Sequence, residues 1–295
     1  MDPTYSVIIP HKNCLKLLER CLRSIPERND LEVIVVDDNS GIDDIEHQIT
    51  MMVQDIAIKI ICLKTSQSAG GARNRGLEIA TGKWLVFADA DDFFSPKAFD
   101  IMDEYVNSDD DIIYFSHSAV YSDNLQPAER LGKRLQYLNE YADFKSKKSE
   151  AFLKYLNHSP TSKMIKRELV TSNNLRFDEV PASNDAYFSV TSAYYATSIA
   201  VDKRVVYVAT IRRGSITQTR NKNNDFSRFA VDVKLYNFFR QKNLPDMYPW
   251  VTMEIVNALR NYGFKEFFRY LKIAKQNHIN IFLGITRRFN RKYKY

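Results

Sequence analysis

The sequence predicts an α/β fold: a mostly parallel mixed sheet flanked by helices, followed by a mainly helical C-terminal region. Short β-branched runs alternate with amphipathic helical stretches through the first part of the chain, the pattern of parallel strands joined by crossover helices. Two of those runs, Leu31 to Val36 and Trp84 to Ala88, lead straight into acidic turns. From Asp225 to Tyr295 the aromatic and aliphatic spacing is helical, with breaks near Pro245 and Pro249.

Taken in order, Tyr5 to Ile9 is the first strand, which Pro10 ends. Leu15, Leu18, Cys21, Leu22 and Ile25 recur at three- and four-residue steps on one side of a helix that Pro26 stops. Leu31 to Val36 is apolar enough for a strand buried on both faces, and after the turn Asp37-Asp38-Asn39-Ser40-Gly41 the acids Asp43 and Asp44 suit a helix start. Ile56 to Leu63 is a third strand, Ala69 to Ala80 a glycine-started helix and Trp84 to Ala88 a fourth strand. Ser95-Pro96 supplies an N-cap and a first-turn proline for a helix over Ala98 to Val106. Asp111 to Phe115 is a further strand, and the polar, lysine-rich stretch around Asn139 to Glu150 reads as an insertion with a helix. A helix over Ala186 to Tyr194 and a strand over Val205 to Ile211 complete the α/β part, so the chain divides into residues 1–120, 121–220 and 221–295.

A chain of 295 residues buries a full core without covalent staples. Three cysteines, Cys14, Cys21 and Cys62, show no CxxC spacing for zinc and fit a reducing compartment. The start Met1-Asp2-Pro3-Thr4 lacks the features of a signal peptide, and no stretch is apolar enough to span a bilayer, which predicts a cytoplasmic protein. The last ten residues carry five basic side chains and no acid, and Ile281, Phe282, Leu283, Ile285 and Phe289 lie beside them. That composition leaves open peripheral contact with the inner face of the cell membrane, or a core helix followed by a solvated tail. Acids at the strand ends argue against a polyanion in the cleft, and no RNA-binding signature is present, so nucleic acid is not an expected partner. A dinucleotide-binding dehydrogenase needs G-x-G-x-x-G after the first strand, where this chain has Pro10-His11-Lys12-Asn13-Cys14.

In an open α/β sheet the ligand sits beyond the carboxyl ends of the strands, where Pro10, Asp37, Asp38, Asp89 and Asp91 converge. If Asp89-Ala90-Asp91-Asp92 continues a strand, Asp89 and Asp91 face the same way and Ala90 leaves room for a ligand. Such oxygen donors suit Mg²⁺ or Mn²⁺ bridging two phosphates. Taken alone the triplet is weak, since acidic turns are common. Asp37 or Asp38 could equally cap the next helix, Arg73 and Arg75 could be solvated, Asp185 could cap the helix that follows it, and Arg212 to Thr217 could be a plain hairpin turn. Arg73, next to Gly70 and Gly71, is the better placed of the two arginines to meet a phosphate or base.

Five ordered segments add up to more. Ser6-Val7-Ile8-Ile9-Pro10 with Asn13 and Cys21 to Ile25, Glu32 to Ser40, Ala69-Gly70-Gly71-Ala72-Arg73-Asn74-Arg75-Gly76, Gly82 to Asp92, and Phe177 to Phe188 resemble glycosyltransferase family 2, nonprocessive bacterial type. The resemblance implies a GT-A fold, Rossmann-like, whose residues 1–120 bind a nucleotide-sugar and 121–220 the acceptor. It implies that Pro10, Asn13, Asp38, Arg73 and Asp89 contact the donor, with Asp38 at the nucleobase and Asp89 by the ribose and diphosphate. Asp91, with Asp89, would hold a divalent cation, Mn²⁺ or Mg²⁺. Asp185 would be the base, with Asn184 standing where the family commonly has Glu, and Arg213 and Ser215 would reach the diphosphate. The implied activity is inverting transfer of one sugar, from a nucleotide-sugar of the UDP class, to the hydroxyl of a glycan or lipid-linked saccharide in cell-surface polysaccharide assembly. The alternative is a catalytically degenerate module of the same fold that binds nucleotide or carbohydrate. The chain departs from the family in placing His11-Lys12-Asn13 where an aromatic residue often follows the first strand. Neither Trp84 nor Trp250 lies in the Arg-x-x-Arg-Trp context of processive synthases.

Overall fold

The computed structural model describes residues 3–53, 56–128, 132–211 and 221–282. They form two compact units: one takes the described residues up to Val180 and from Asn184 to Ile211, the other takes Pro181–Ser183 and residues 221–282.

The first unit is built on an eight-stranded sheet. Strands β1 (Tyr5–His11), β2 (Leu31–Asp37), β3 (Ile58–Cys62) and β4 (Trp84–Phe87) run parallel in the order β3-β2-β1-β4. Beyond β4 the sheet becomes mixed. β5 is the two-residue Phe93–Phe94, β6 is Ile112–Tyr121, β7 is Lys163–Lys166 and β8 is Ile199–Ile211. β7 pairs antiparallel with both β4 and β6, β6 runs parallel to β8, and β5 closes the edge antiparallel to β8. The predicted mostly parallel mixed sheet is therefore present.

Every residue of β1 and β2 is buried, as their unbroken apolar runs require when helices cover both faces. Val7, Ile9, Val33, Val35 and Trp84 pack on one side with Leu18 and Leu22 of α1 (Leu15–Arg23) and Phe99 and Met102 of α4 (Ala98–Asp103). Ile8, Ile34, Val36, Leu85 and Phe87 face the other side, against Ala72 and Leu77 of α3 (Ser68–Ile79), Val170 of α7 (Arg167–Ser172) and Phe188 of α8 (Ala186–Tyr195). Between them in chain order lie α2 (Ile45–Met52), α5 (Gly132–Phe144) and α6 (Lys147–Leu156).

Four local expectations are corrected. Pro10 does not end β1, which continues to His11 with Pro10 opposite Val36. The His11 carbonyl accepts from the Asp38 N–H at 2.8 Å, so His11 turns its backbone to β2 and Pro10, by alternation, turns its own away. On that side pairing with β4 stops at Ile8, so the missing N–H costs no ladder bond. Ser95 is not an N-cap: its hydroxyl bonds the Val205 carbonyl at 2.5 Å, and Lys97, at φ +65°, precedes α4 instead. Asp44 adopts φ +51° before α2 and makes no side-chain cap. The stretch around Asn139 to Glu150 is two helices joined at a reciprocal Ser146–Ser149 capping box.

The second unit is helical, as expected: α9 (Lys222–Gln241), a 3₁₀ turn at Pro245–Met247, α10 (Val251–Tyr262) and α11 (Phe264–Gln276). Phe229 stacks on Tyr270 with ring centroids 4.2 Å apart, among Val233, Ile255, Ala258 and Ala274. Gly263 at φ +80° makes the sharp change of direction between α10 and α11 that a side chain would disfavour. No helix of the described residues is long and apolar enough to cross a membrane. The basic tail lies outside the described residues.

Candidate active site

The carboxyl ends of β1, β2 and β4 open onto three segments that carry the acids. In the first, at the end of β2, Asp37 and Asp38 divide their work. Asp37 is buried, takes a 2.8 Å bond from His11 Nδ1, and accepts from the Ser40 N–H at 2.9 Å and from the Ser40 hydroxyl. His11 Nε2 accepts from the Cys14 N–H at 3.2 Å, which places the ring proton on Nδ1. Burial lowers the His11 pKa more than Asp37 raises it, so the ring is a neutral strut. Asp37 is thus the turn-forming residue. Asp38, also buried, accepts from the Gln67 N–H at 2.5 Å and the Ser66 hydroxyl at 2.6 Å, next to the start of α3, and from Lys12 Nζ at 3.3 Å. Asn13 sits exposed at φ +53° with its N–H on the Ser40 hydroxyl at 2.9 Å, a conformation that Asn tolerates.

The second segment follows β4. Asp89 to Asp92 is not a continuation of the strand, which ends at Phe87; it is a turn closed by the Asp92 N–H on the Asp89 carbonyl at 3.0 Å. The expected strand alternation of Asp89 and Asp91 therefore does not apply, and Ala90 is buried in the core beneath the turn instead of clearing space for a ligand. What holds the turn is Asp92. Its carboxyl accepts from the Tyr207 hydroxyl at 2.9 Å and the Thr210 N–H at 2.6 Å, while Tyr207 in turn accepts from the Asp89 N–H at 2.9 Å. Burial, then the neighbouring Asp89 and Asp91, push the Asp92 pKa up. The Asp91 carbonyl is held by Arg20 at 2.7 Å and the Thr210 hydroxyl at 2.8 Å, and the residue is half-buried.

The third segment is Phe177 to Asp185, and α3 binds it. Asn74, buried in α3, grips the backbone of Phe177 at both ends, accepting its N–H at 2.8 Å and donating to its carbonyl at 3.0 Å. Phe177 stacks on Phe188 at 3.9 Å, and both meet Phe87 edge-on at the end of β4. Gly70 lets the loop approach: a Cβ there would lie 2.0 Å from the Asp178 carbonyl oxygen. Gly70→Ala should therefore cost about 3 kcal/mol, read as a fall in Tm of roughly 6–12 °C; an unchanged melting curve would refute this packing.

Arg73 joins the second and third segments. Only 4% exposed, it bonds Asp89 Oδ1 at 2.5 Å and Asn184 Oδ1 at 2.9 Å, with its guanidinium over the Phe177 ring at 5.3 Å. The sequence expectation had Arg73 meeting the ligand; here two of its nitrogens bond Asp89 and the Asn184 amide oxygen. Asp185 occupies the N-cap position of α8 yet makes no side-chain cap bond among the described residues. Burial raises its pKa, Arg73 opposes this and Asp89 adds to it. Arg213 and Ser215 lie outside the described residues.

The acidic carboxyl edge and the glycine-rich helix beside it lie on a segment with a recognisable signature: residues 6–172 match the family model "Glycosyl transferase family 2". The chain belongs to glycosyltransferase family 2.

Its relatives include the succinoglycan biosynthesis protein ExoO of Rhizobium meliloti, 24% identical over 286 residues, covering 93% of this chain and 77% of ExoO. Among solved structures it is similar to S. aureus TarS 1-349 in complex with UDP-GlcNAc, with a TM-score of 0.61, 20% identity, and coverage of 98% of this chain and 77% of that one. It is also similar to the mannosyltransferase PcManGT from Pyrobaculum calidifontis in complex with GDP-Man and Mn²⁺, with a TM-score of 0.55, 14% identity, and coverage of 97% and 84%. The glycosyltransferase has the GT-A fold that these structures share. Within it, the sequence reading overlooked Asn74, Tyr207, Thr210 and Arg20. Nothing local marks Tyr207 or Thr210, which reach Asp92 from more than a hundred residues away. Asn74 left a faint signal, an amide placed in a glycine-rich helix start where a solvated residue would be expected.

Proposed function

We propose that this glycosyltransferase moves one sugar, with inversion, from a UDP-sugar to a hydroxyl of a saccharide acceptor in cell-surface polysaccharide assembly. The observation that carries the reading is the Arg73 bridge. It ties Asp89, on the turn proposed to hold the donor diphosphate, to Asn184, next to Asp185. A base and a leaving-group site on one strand-end edge are what a single in-line displacement needs.

In this reading Asp38 meets the nucleobase at the end of β2, beside Pro10 and Asn13, and Asp89 meets the ribose and diphosphate. Residues 1–120 form the donor half and 121–220 the acceptor half of the GT-A region, with 221–295 as the helical C-terminal region. A Mn²⁺ or Mg²⁺ ion would be held by Asp91 with Asp89. Among the described residues no group of three or more acidic, His or Cys side chains could cage a metal, and a hard cation of this size commonly takes one or two carboxylates and completes its shell with phosphate oxygens and water. Bound there, the cation would neutralise charge on the departing diphosphate. Asp185 takes the proton of the acceptor hydroxyl as its oxygen attacks the anomeric carbon. The bond to the diphosphate breaks on the opposite face, and its electron pair leaves with the nucleotide. A carboxyl whose pKa is raised by burial is better matched to that proton than a solvated one.

The choice of UDP draws on TarS, crystallised with UDP-GlcNAc, and the cation on PcManGT, crystallised with Mn²⁺; the acceptor class draws on the succinoglycan role of ExoO. A thermal-shift panel of UDP, GDP and UDP-sugars, each with and without Mn²⁺, tests the reading. At a hundredfold excess over Kd a ligand adds about 2.7 kcal/mol, so UDP with Mn²⁺ should raise Tm by several degrees and UDP alone by much less. A flat response to every nucleotide would turn the assignment toward a degenerate module.

A further inference from the structure

The helical unit contains a cavity that the donor site does not account for. It has a volume of about 190 Å³ and is lined wholly by α9, α10, α11 and Trp250, the residue just before α10. A cavity of about 150 Å³ accepts benzene, so this one has room for a single six-membered ring and little more. Trp250 and Met253, 45% and 53% exposed, stand at its rim.

The lining is unusual in what it leaves unpaired. Tyr270 is 1% exposed, and its hydroxyl has no hydrogen-bond partner among the described residues. One carboxyl oxygen of Glu254, also buried, has none either. Buried polar atoms without partners are destabilising, and two around one cavity mark a place where something else completes them. Tyr270 can donate through its hydroxyl, and the unpartnered Glu254 oxygen can accept; the Glu254 carboxyl shares a hydrogen bond with Asp232, and burial, then Asp232, push its pKa up to about 10. Asn257 adds an amide that donates and accepts.

Charge excludes an anion. Arg228, the cation on the wall, is paired with Asp225 at 2.8 Å, and Asp225 also accepts from Tyr262 at 2.9 Å. With Asp232 close to Glu254, the surroundings carry more acid than base. A ligand suited to this wall is uncharged, donates and accepts at neighbouring atoms, and presents an apolar face to an indole. A sugar ring has that chemistry.

We propose that this cavity is a second, noncatalytic carbohydrate subsite that takes one uncharged pyranose ring, stacked on Trp250 and hydrogen-bonded by Glu254, Asn257 and Tyr270. The inference rests on these residues alone and does not require the donor assignment above.

Saturation-transfer NMR on the full chain, with methyl β-D-glucopyranoside, methyl α-D-mannopyranoside and N-acetylglucosamine in saturating UDP and Mn²⁺, tests it. Transfer to the ring protons of at least one sugar is expected, unchanged in Asp91→Asn and Asp185→Asn, and weakened at least tenfold in apparent affinity by Trp250→Ala. Tyr270→Phe, which keeps the ring packing on Phe229, should weaken it severalfold and decides the matter if Trp250→Ala fails to fold. The absence of transfer to all three sugars would overturn the proposal. So would transfer equal to the parent's in Trp250→Ala and Tyr270→Phe, or competition by inorganic phosphate at equal concentration.

Discussion

Asp185→Asn is expected to lower kcat by about 10³-fold, within the range of about 10²–10⁴ for loss of a positioned general base. UDP binding and melting temperature should stay close to those of the parent. The separation of the two readouts follows from the geometry. Asp185 stands at the head of α8 without capping it, so the amide forfeits no cap bond and only the proton acceptor is removed. A residue acting as a helix cap would instead lose stability and keep activity. The pH profile adds a second check. Burial raises the carboxyl pKa, so Asp185 becomes protonated, and unable to accept, at a higher pH than an ordinary aspartate. Activity should fall as pH drops through that raised value, and the fall should disappear from the residual rate of Asp185→Asn. Parent-like turnover in the variant would remove Asp185 from the mechanism.

The second large effect is expected at the turn after β4. Asp91→Asn should reduce kcat/KM by about 10²–10³-fold, the scale of losing one electrostatic stabiliser of a leaving group, and should abolish the Mn²⁺-dependent part of the UDP thermal shift. Around Asp91 the bonds that shape the turn run through its backbone carbonyl and through Asp92. Arg20 and the Thr210 hydroxyl hold its carbonyl, and Asp92 carries the bonds to Tyr207 and Thr210. Asp92→Asn is the instructive contrast, since it alters the bonds that shape the turn. Chelation of the parent enzyme should match Asp91→Asn in direction; full activity in excess chelator would refute the cation assignment.

The strands and their acids were legible because they are local. Ser6 to Pro10 and Glu32 to Val36 are unbroken apolar runs with one or two polar exceptions, and a run of that length buried on both faces has few alternatives to a parallel strand. Gly70 and Gly71 marked the start of α3 as glycine-rich, but only the structure shows that a Cβ there would meet the Asp178 backbone and Gln67. The placement of Asp37, Asp38, Asp89 and Asp91 beyond the strand ends also followed from the pattern alone. The division of labour between Asp37 and Asp38 did not, since it depends on His11, Ser40 and Gln67 arriving from three different elements.

The sequence by itself determined the parallel α/β core, the helical C-terminal region and the family, each encoded in runs of a few residues whose burial and period are read without knowing their neighbours. Only the tertiary structure decided that Asp89 to Asp92 is a turn, that Asp92 and Tyr207 shape it, and that Arg73 links Asp89 to the segment carrying Asp185. Those decisions are made by side-chain hydrogen bonds, to other side chains and to backbone, between residues up to 119 positions apart. Burial makes such bonds strong enough to override local propensity, and no local pattern records them.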